Sequence, residues 1–182
     1  MTGSVTEIED IFSRTAPPDL NLQLGGLYVP KSSSNSLSSI STLTIRRNAI
    51  IIPYRNRLED LKTLLPYLHK YLQTGINSSS LIYKIFIIEQ SDYKNLQFNR
   101  AFLLNVGFLI AEEELFDCYT FHDVDMLPLG ACDYTCPRKF SKKFRHLAGQ
   151  LSRDNFEVKN YTYFGGVYLM TEFQYKVFGV FI

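Results

Sequence analysis

Two aspartates stand one residue apart at the end of an apolar stretch, in FHDVDMLP at residues 121–128. On an extended backbone, alternate side chains share one side, so Asp123 and Asp125 would face together and Val124 would face away. Two carboxylates in a crevice repel each other unless a cation joins them. A hard divalent ion such as Mg²⁺ or Mn²⁺ takes oxygen ligands and bridges to phosphates. The alternative is a simple turn, because aspartate is common where strands end.

Two further polar clusters, PYRNR (53–57) and FNR (98–100), carry three arginines. Guanidinium groups pair with phosphate oxygens through two parallel hydrogen bonds. FNR opens a helical segment, and the free N–H groups of a helix N-terminus favour anions. The alternative is a solvated helix start, with Arg57 paired to Glu59 or Asp60.

The elements that must position these clusters follow an alternating order. Strands are predicted at NAIIIPY (48–54), YKIFIIEQ (83–90) and DCYTFHDV (117–124), and helices at 57–73 and 98–115. This rhythm is typical of a parallel α/β sheet with right-handed crossovers. Ligands bind such sheets at the carboxyl ends of the strands. We therefore expect a phosphate-bearing anion along that edge.

Each predicted helix has an apolar face. The first carries leucines at helical spacing: Leu58, Leu61, Leu65, Leu68 and Leu72. Pro66 inside it predicts a kink or a break. The second carries Phe102, Val106, Leu109 and Ile110 on one face.

Three other features have less specific meanings. Strand alternation points His122 away from the aspartates, so we assign it to packing, and His69 within the leucine-rich helix to structure. The pair Gly165-Gly166 in YFGGVYLM (163–170) fits a ligand wall and a β-bulge equally well. Both interpretations stay open.

Composition limits the class of protein. The chain has 182 residues, of which 46% are hydrophobic, and this is enough apolar material for a core. The sequence predicts a flexible lead-in over 1–47, followed by one domain over 48–182. Its formal net charge of +1 argues against a nucleic-acid partner. No apolar run reaches the roughly 18 residues that a membrane span needs. The cysteine spacing lacks the second half of a zinc site.

Four stretches occur in order: IIPYRNR (51–57), FNRAFLLNVGF (98–108), CYTFHDVDMLP (118–128) and YFGGVYLM (163–170). Together they resemble the β-1,4-galactosyltransferase family, whose pattern is I-I-P-F-R-N-R, F-N-R-A-K-L-L-N-V-G-F, D-V-D-x-x-P and Y-F-G-G-V. The resemblance implies a GT-A-like, Rossmann-like nucleotide-sugar-binding sheet flanked by helices, here truncated. It also implies Mn²⁺-dependent transfer of galactose or N-acetylgalactosamine from a UDP-sugar to a glycan acceptor, with inversion.

The family's site residues carry over by position. The expected donor contacts are Pro53, Tyr54, Arg55, Arg57, Phe98, Arg100, Asp123, Val124, Arg153 and Tyr163. Asp125 would ligate the metal, while Cys118 and Cys136 match the ends of a family disulfide and leave Cys132 spare. Tyr54 stands where the family usually has Phe, and Arg153 where it usually has Lys. The resemblance implies an acceptor of the N-acetylglucosamine or xylose type. It also implies a location in the Golgi lumen and a membrane anchor, which is not visible in this sequence.

The resemblance also has a boundary. The family continues into W-G-W-G-G-E-D-D-D, which supplies acceptor contacts and the catalytic carboxylate, and then a Met and a His that complete the metal site. The present sequence ends at FGVFI (178–182), so the resemblance implies that the catalytic base lies beyond Ile182. We therefore interpret the chain as the donor-binding part of such an enzyme, with no catalytic base of its own.

Two alternatives to that interpretation stand beside it. One is a non-catalytic remnant that binds a UDP-sugar or a partner. The other is an unrelated α/β phosphate-binding domain, which would carry a glycine-rich loop after its first strand. The second alternative is disfavoured, because PYRNR holds no glycine.

Overall fold

The computed structural model describes residues 25–30, 46–75, 78–92, 96–137, 143–152, 155–157 and 165–178. Its strands are β1 (Arg46–Tyr54), β2 (Leu81–Glu89), β3 (Cys118–His122), β4 (Arg145–His146) and β5 (Val167–Thr171), and its helices are α1 (Leu58–Thr74), α2 (Arg100–Glu112) and α3 (Glu172–Phe178).

Three positions that the sequence analysis singled out lie outside the described residues. Arg153 and Tyr163 are expected donor contacts, and Ile182 is the residue beyond which the catalytic base is expected. Most of the expected lead-in lies outside as well. The donor roles of Arg153 and Tyr163 and the location of the base beyond Ile182 therefore stay predictions.

The five strands form one mixed sheet in the order β2-β1-β3-β5-β4. The first three are parallel, as the alternating pattern predicts, and Ile51 of β1 lies opposite Phe86 of β2 and Phe121 of β3. β5 then pairs antiparallel with both β3 and β4. The sequence pattern did not predict these antiparallel strands. They place the Gly165-Gly166 segment beside the end of β3.

Side-chain alternation along β1 divides the core between the two faces of the sheet. Ile50 and Ile52 face α1, whereas Ala49 and Ile51 face α2. Because β1 has its hydrogen-bonding neighbours on both sides and helices on both faces, it is apolar throughout. This explains why the sequence reads as a continuous isoleucine run at this point.

Helix α1 buries the face that its leucine spacing predicts. Leu61, Leu65, Leu68 and Leu72 are at most 5% exposed, and only the first leucine, Leu58, is substantially exposed at 45%. The helix continues through Pro66 without a break. Leucines buried on both sides of the proline hold the helix together, although the proline removes one intrahelical hydrogen bond.

The apolar face that the sequence indicates on α2 is not the face that the helix buries. Phe102 and Leu109 are each 60% exposed and Ile110 is 45% exposed. The buried side chains and backbone belong to Leu103, Leu104, Gly107, Phe108 and Ala111. The helix is apolar on most of its circumference, so periodicity does not select a face. The close approach of the helix to the sheet selects the face instead. A Cβ at Gly107 would lie 2.4 Å from the Cγ2 atom of Ile51.

One described piece of the expected lead-in contacts the sheet. Tyr28 forms an antiparallel bridge with Tyr83, and their rings lie 5.2 Å apart. β1 itself begins at Arg46, two residues before the predicted strand. Among the described helices, none combines the length and the apolar character that crossing a membrane requires.

The expected disulfide between Cys118 and Cys136 is confirmed, and Cys132 is a free thiol. The bond joins the start of β3 to the far end of the loop that follows this strand. The amide of Asn48 on β1 donates to the Tyr134 carbonyl in this loop (2.7 Å) and to the Thr120 hydroxyl on β3 (2.9 Å). The loop that contains the two aspartates is therefore anchored to the central strands.

Candidate functional site

A cavity of about 300 Å³ opens at the carboxyl ends of β1 and β3. Its lining consists of Pro53, Arg55, Arg57, Phe98, Arg100, Asp123, Val124 and Asp125. All three polar clusters meet there, because parallel strands end at the same edge and α2 begins beside them. The structure thus brings together seven of the expected donor contacts and the expected metal ligand.

Tyr54 does not line this cavity. Its side chain is 9% exposed and packs with Ile50 and Ile52 on the α1 side of the sheet. Alternation along β1 gives Pro53 and Tyr54 opposite directions. Burial raises the pKa of the Tyr54 hydroxyl above its ordinary value.

The first arginine of the site is held over an aromatic ring. The Arg55 guanidinium lies 5.6 Å from the ring centroid of Phe98, and its Nη1 donates to the Leu96 carbonyl at 2.5 Å. A cation over a ring face is attracted by the ring's quadrupole. Phe98 is 42% exposed, so both the ring and the guanidinium present surface to the cavity.

The second arginine joins two acidic residues. Arg57 Nε donates to Asp60 at 2.5 Å, and its Nη2 lies 3.3 Å from Oδ2 of Asp125. The pairing with Asp60 that the sequence offered as an alternative is therefore present, together with a contact to the site. Asn56 between the two arginines has a φ of +52° and donates to both carboxylate oxygens of Asp92 at 2.9 Å. This left-handed residue turns the chain where the arginines line the cavity.

Asp123 is held from two directions. Its Oδ1 accepts from Arg100 Nε at 2.6 Å, and its Oδ2 accepts from the Gly166 N–H at 3.2 Å. Its own N–H donates to the Gly166 carbonyl at 2.9 Å. Burial raises the pKa of Asp123, although the nearby Arg100 guanidinium acts in the opposite direction. Both carboxylate oxygens are therefore already engaged.

Asp125 is the accessible carboxylate of the pair. Its side chain is 50% exposed, against 25% for Asp123. The backbone does not stay extended as the alternation argument assumed: β3 ends at His122, and the Met126 N–H donates to the Asp123 carbonyl at 3.2 Å. The turn that the sequence offered as the alternative is present, and it presents both aspartates to one cavity.

Few side chains among the described residues are placed to act as metal ligands. No group of three or more His, Cys, Asp or Glu side chains in the described residues is arranged to hold an ion. The carboxylate of Asp125 fits a hard divalent cation by its chemistry and its exposure. The remaining ligands would have to come from outside this set, and diphosphate oxygens are the kind of ligand that such ions accept.

A second, larger cavity of about 620 Å³ lies on the other side of Asp125. Its wall is mostly apolar and includes Leu127, Leu147, Leu151 and Phe156. Asp125 lines both cavities and forms part of the boundary between them.

Two of the three histidines are buried and have structural contacts, whereas His146 is partly buried and lines the larger cavity. His122 is fully buried, with Nδ1 2.9 Å from the Asp123 carbonyl and Nε2 3.1 Å from the Tyr134 hydroxyl, which confirms its assignment to packing. His69 is buried against Tyr83. His146 lies 2.8 Å from the Gly165 carbonyl through its Nε2.

Sequence reasoning missed one functional contact. The backbone of Gly166 holds Asp123, at a φ of +74°, and a Cβ there would lie 2.7 Å from the Cβ of Ala148. Only glycine fits this conformation and this spacing without a shift. The Gly165-Gly166 pair marks this position in the sequence. It fits a ligand wall and a β-bulge equally well, and neither of these predicts a hydrogen bond to Asp123.

Comparison with known proteins places this geometry in a family. The model for the N-terminal region of glycosyl transferase group 7 matches residues 5–137. β-1,4-Galactosyltransferase 4 of Mus musculus is 38% identical over 160 residues, which make up 87% of this chain and 44% of the mouse protein. The chain belongs to the β-1,4-galactosyltransferase family. It is also 36% identical to β-1,4-galactosyltransferase 1 of Homo sapiens over 156 residues, 85% of this chain and 35% of the human protein.

A solved structure agrees with this family assignment. A mutant of Drosophila β-1,4-galactosyltransferase 7, in complex with manganese, UDP-Gal and xylobiose, has a TM-score of 0.60 and 30% sequence identity. The match covers 72% of this chain and 51% of that chain. The expected GT-A-like fold is confirmed. The chain spans less than half the length of the curated β-1,4-galactosyltransferases named above.

Proposed function

We propose that this chain forms the donor-binding part of an inverting β-1,4-galactosyltransferase. In the whole protein, galactose or N-acetylgalactosamine would pass from a UDP-sugar to a glycan acceptor, with Mn²⁺ bound at Asp125. The observation that carries this proposal is the cavity itself. It combines three guanidinium groups, an exposed aromatic ring and one accessible carboxylate at the carboxyl edge of a parallel sheet.

Each group in the cavity has a role that suits a nucleoside diphosphate. Arg55 and Arg57 present guanidinium donors where diphosphate oxygens would lie. The exposed ring of Phe98 offers a stacking surface for a base. A divalent ion, when bound, would neutralise charge on the diphosphate leaving group, and Asp125 would hold it there.

Transfer also needs a base that takes the proton of the acceptor hydroxyl. The carboxylates of the cavity are Asp123, which Arg100 and Gly166 engage, and Asp125, which is assigned to the metal. Neither carboxylate is free to act as the base in this arrangement, and the resemblance to the family implies a base beyond Ile182. We therefore expect these 182 residues alone to bind the donor without transferring sugar at a meaningful rate. The second candidate function, a non-catalytic UDP-sugar-binding remnant, is favoured by the same shortage of carboxylates.

Calorimetric titration of the chain with UDP, with Mn²⁺ and with a chelator, tests donor binding. We expect Mn²⁺ to strengthen UDP binding, and Asp125→Ala to remove this enhancement. Glu113→Ala is the matched control, because it removes one exposed carboxylate about 20 Å away at the other end of α2. Equal Mn²⁺-dependent affinity for Asp125→Ala and the unaltered chain would refute the metal assignment.

A transfer assay separates the two candidate functions. UDP-galactose and UDP-N-acetylgalactosamine would be offered with acceptors that end in N-acetylglucosamine or in xylose. Turnover by the 182 residues, abolished by Asp125→Ala, would show that a base is present among them and that the expected location beyond Ile182 is wrong. Donor binding without turnover would agree with the assignment as a donor-binding part.

The proposed location is the Golgi lumen. The Cys118–Cys136 disulfide supports it, because disulfides persist in oxidising compartments. The sequence also carries two N-x-[ST] triplets, which begin at Asn77 and Asn160. Glycosidase sensitivity of the protein expressed in a secretory host, compared with Asn77→Gln and Asn160→Gln, tests this location.

A further inference from the structure

Two tyrosines of α1 hold the segment that directly follows Asp125. The Tyr67 hydroxyl donates to the Pro128 carbonyl at 2.7 Å. The Tyr71 hydroxyl donates to the Gly130 carbonyl at 2.7 Å and accepts from the Cys132 N–H at 2.8 Å. Neither tyrosine lines the cavity that contains the arginines.

The spacing of these bonds matches the repeat of the two backbones. Tyr67 and Tyr71 are one helical turn apart with stacked rings 6.4 Å apart, and four helical residues rise about 6 Å. Two residues of extended chain rise about 6.6 Å. The helix therefore offers hydroxyls at nearly the same interval at which Pro128 and Gly130 offer carbonyls.

Side chains, rather than a neighbouring strand, provide much of the backbone hydrogen bonding in this loop. Its far half is held by Asn48 at the Tyr134 carbonyl, by Arg145 at the carbonyls of Asp133 (2.8 Å) and Thr135 (2.7 Å), and by the disulfide. The near half, adjacent to Asp125, is held by the two tyrosines. Pro128 is a buried residue, so its carbonyl needs such a partner, whereas Gly130 is exposed.

Asp125 depends on both of its flanks for its position. On one side Asp123 is held by Arg100 and Gly166. Asp125 itself is half exposed and has one long contact, to Arg57 at 3.3 Å. On the other side lies the segment held by α1. Loosening that segment would therefore widen the range of positions that the carboxylate visits.

We propose that Tyr67 and Tyr71 are positioning residues that fix the carboxylate of Asp125 for the divalent cation. This inference rests on the proposed metal-dependent donor binding. Removing a group that hydrogen-bonds a metal ligand directly typically changes metal affinity by about 10- to 100-fold. The two hydroxyls act one step further away, through the backbone, so we expect no more than the low end of that range. The hydroxyls would act through the backbone of 126–132 and not by touching the metal or the donor.

The test uses Tyr67→Phe, Tyr71→Phe and the double variant in the full chain, which keep the rings and remove only the hydroxyls. UDP affinity is measured with Mn²⁺ and with a chelator. We expect the double variant to lower the Mn²⁺-dependent enhancement about tenfold and to leave UDP affinity in chelator unchanged. Tyr83→Phe is the control, because it removes a tyrosine hydroxyl that is bonded to α1 through His69 and Gln73, away from the loop.

Hydrogen–deuterium exchange provides a readout that does not depend on the metal. We expect faster exchange in 124–132 in the tyrosine variants, without a change in 145–152, and no such local effect for Tyr83→Phe. Unchanged exchange in 124–132 would overturn the inference, as would an unchanged Mn²⁺ enhancement in the double variant. Absence of any Mn²⁺ enhancement in the unaltered chain would refute the proposed function instead, and the exchange data would still decide whether the tyrosines hold the segment.

Discussion

Helices α1 and α2 cover opposite faces of the same three parallel strands, yet they pack by different rules. α1 presents one leucine stripe to the sheet and polar residues elsewhere. α2 is apolar on most sides and buries the face that contains Gly107, while Phe102, Leu109 and Ile110 remain exposed.

The difference separates two ways in which a helix face is chosen. On α1, the hydrophobic effect selects the face, because the opposite face would bury charged side chains. On α2, burial of either face would remove similar apolar area from water, so shape complementarity decides. Gly107, the one glycine of α2, lets the helix approach Ile51 and Ile88 closely.

The largest expected effect lies on the leucine stripe of α1. Leu68→Ala removes a side chain with 0% exposure and should lower the free energy of unfolding by about 3 kcal/mol, since deletion of a buried leucine leaves a cavity. Chemical denaturation of the purified chain measures this change. A loss below about 1 kcal/mol would mean that α1 is not fixed by its stripe.

A buried histidine on the same helix adds a pH dependence. Burial lowers the pKa of His69 to about 4, from about 6.5 in an unfolded chain. Its Nδ1 lies 2.8 Å from the Tyr83 hydroxyl, which accepts from the Gln73 amide. As pH falls, the unfolded chain binds a proton first, so stability is lost between about pH 6.5 and pH 4.

We expect this single histidine to lower the free energy of unfolding by about 2 kcal/mol between pH 7 and pH 5. His69→Gln, which cannot titrate, should lose that part of the pH dependence and keep the part that His122 contributes. Unfolding curves at both pH values provide the comparison. Identical pH dependence in the variant and the unaltered chain would show that His69 is not buried in its neutral form.

Gly107→Ala tests the close approach of α2. The added Cβ would lie 2.4 Å from Ile51 of β1 and 2.9 Å from Ile88 of β2, two stiff β-branched side chains. Overpacking should outweigh the gain in helix propensity and lower stability by about 1–2 kcal/mol. Gly149→Ala is the control, since nothing lies within 4 Å of its added Cβ. A stabilised Gly107→Ala variant would contradict the proposed packing rule.

The smallest effect is expected on the exposed face of α2. Leu109→Gln should change the free energy of unfolding by no more than about 0.5 kcal/mol, because the side chain is 60% exposed. The same substitution at Leu104, which is fully buried, is the matched comparison. Similar losses at both positions would place Leu109 in a packed contact.

Much of the fold and the site followed from the amino-acid sequence. Continuous apolar runs of strand length and apolar residues at helical spacing located three strands and two helices within a few residues, because strands buried on both faces are apolar throughout and helices bury one face. The polar clusters at 53–57, 98–100 and 123–125 were expected at one edge, since parallel strands end together. The structure places them around one cavity.

Tertiary structure alone decided the points that depend on distant neighbours. The buried face of α2 follows from a fit to Ile51 and Ile88, which no local period encodes. The division of roles between the aspartates follows from Gly166, 43 residues away, whose N–H engages Asp123 and leaves Asp125 accessible. The sequence likewise does not predict the hydrogen bonds from Tyr67 and Tyr71 to the loop after β3. Hydrogen bonds between a helix and a loop form only after packing has brought both into contact.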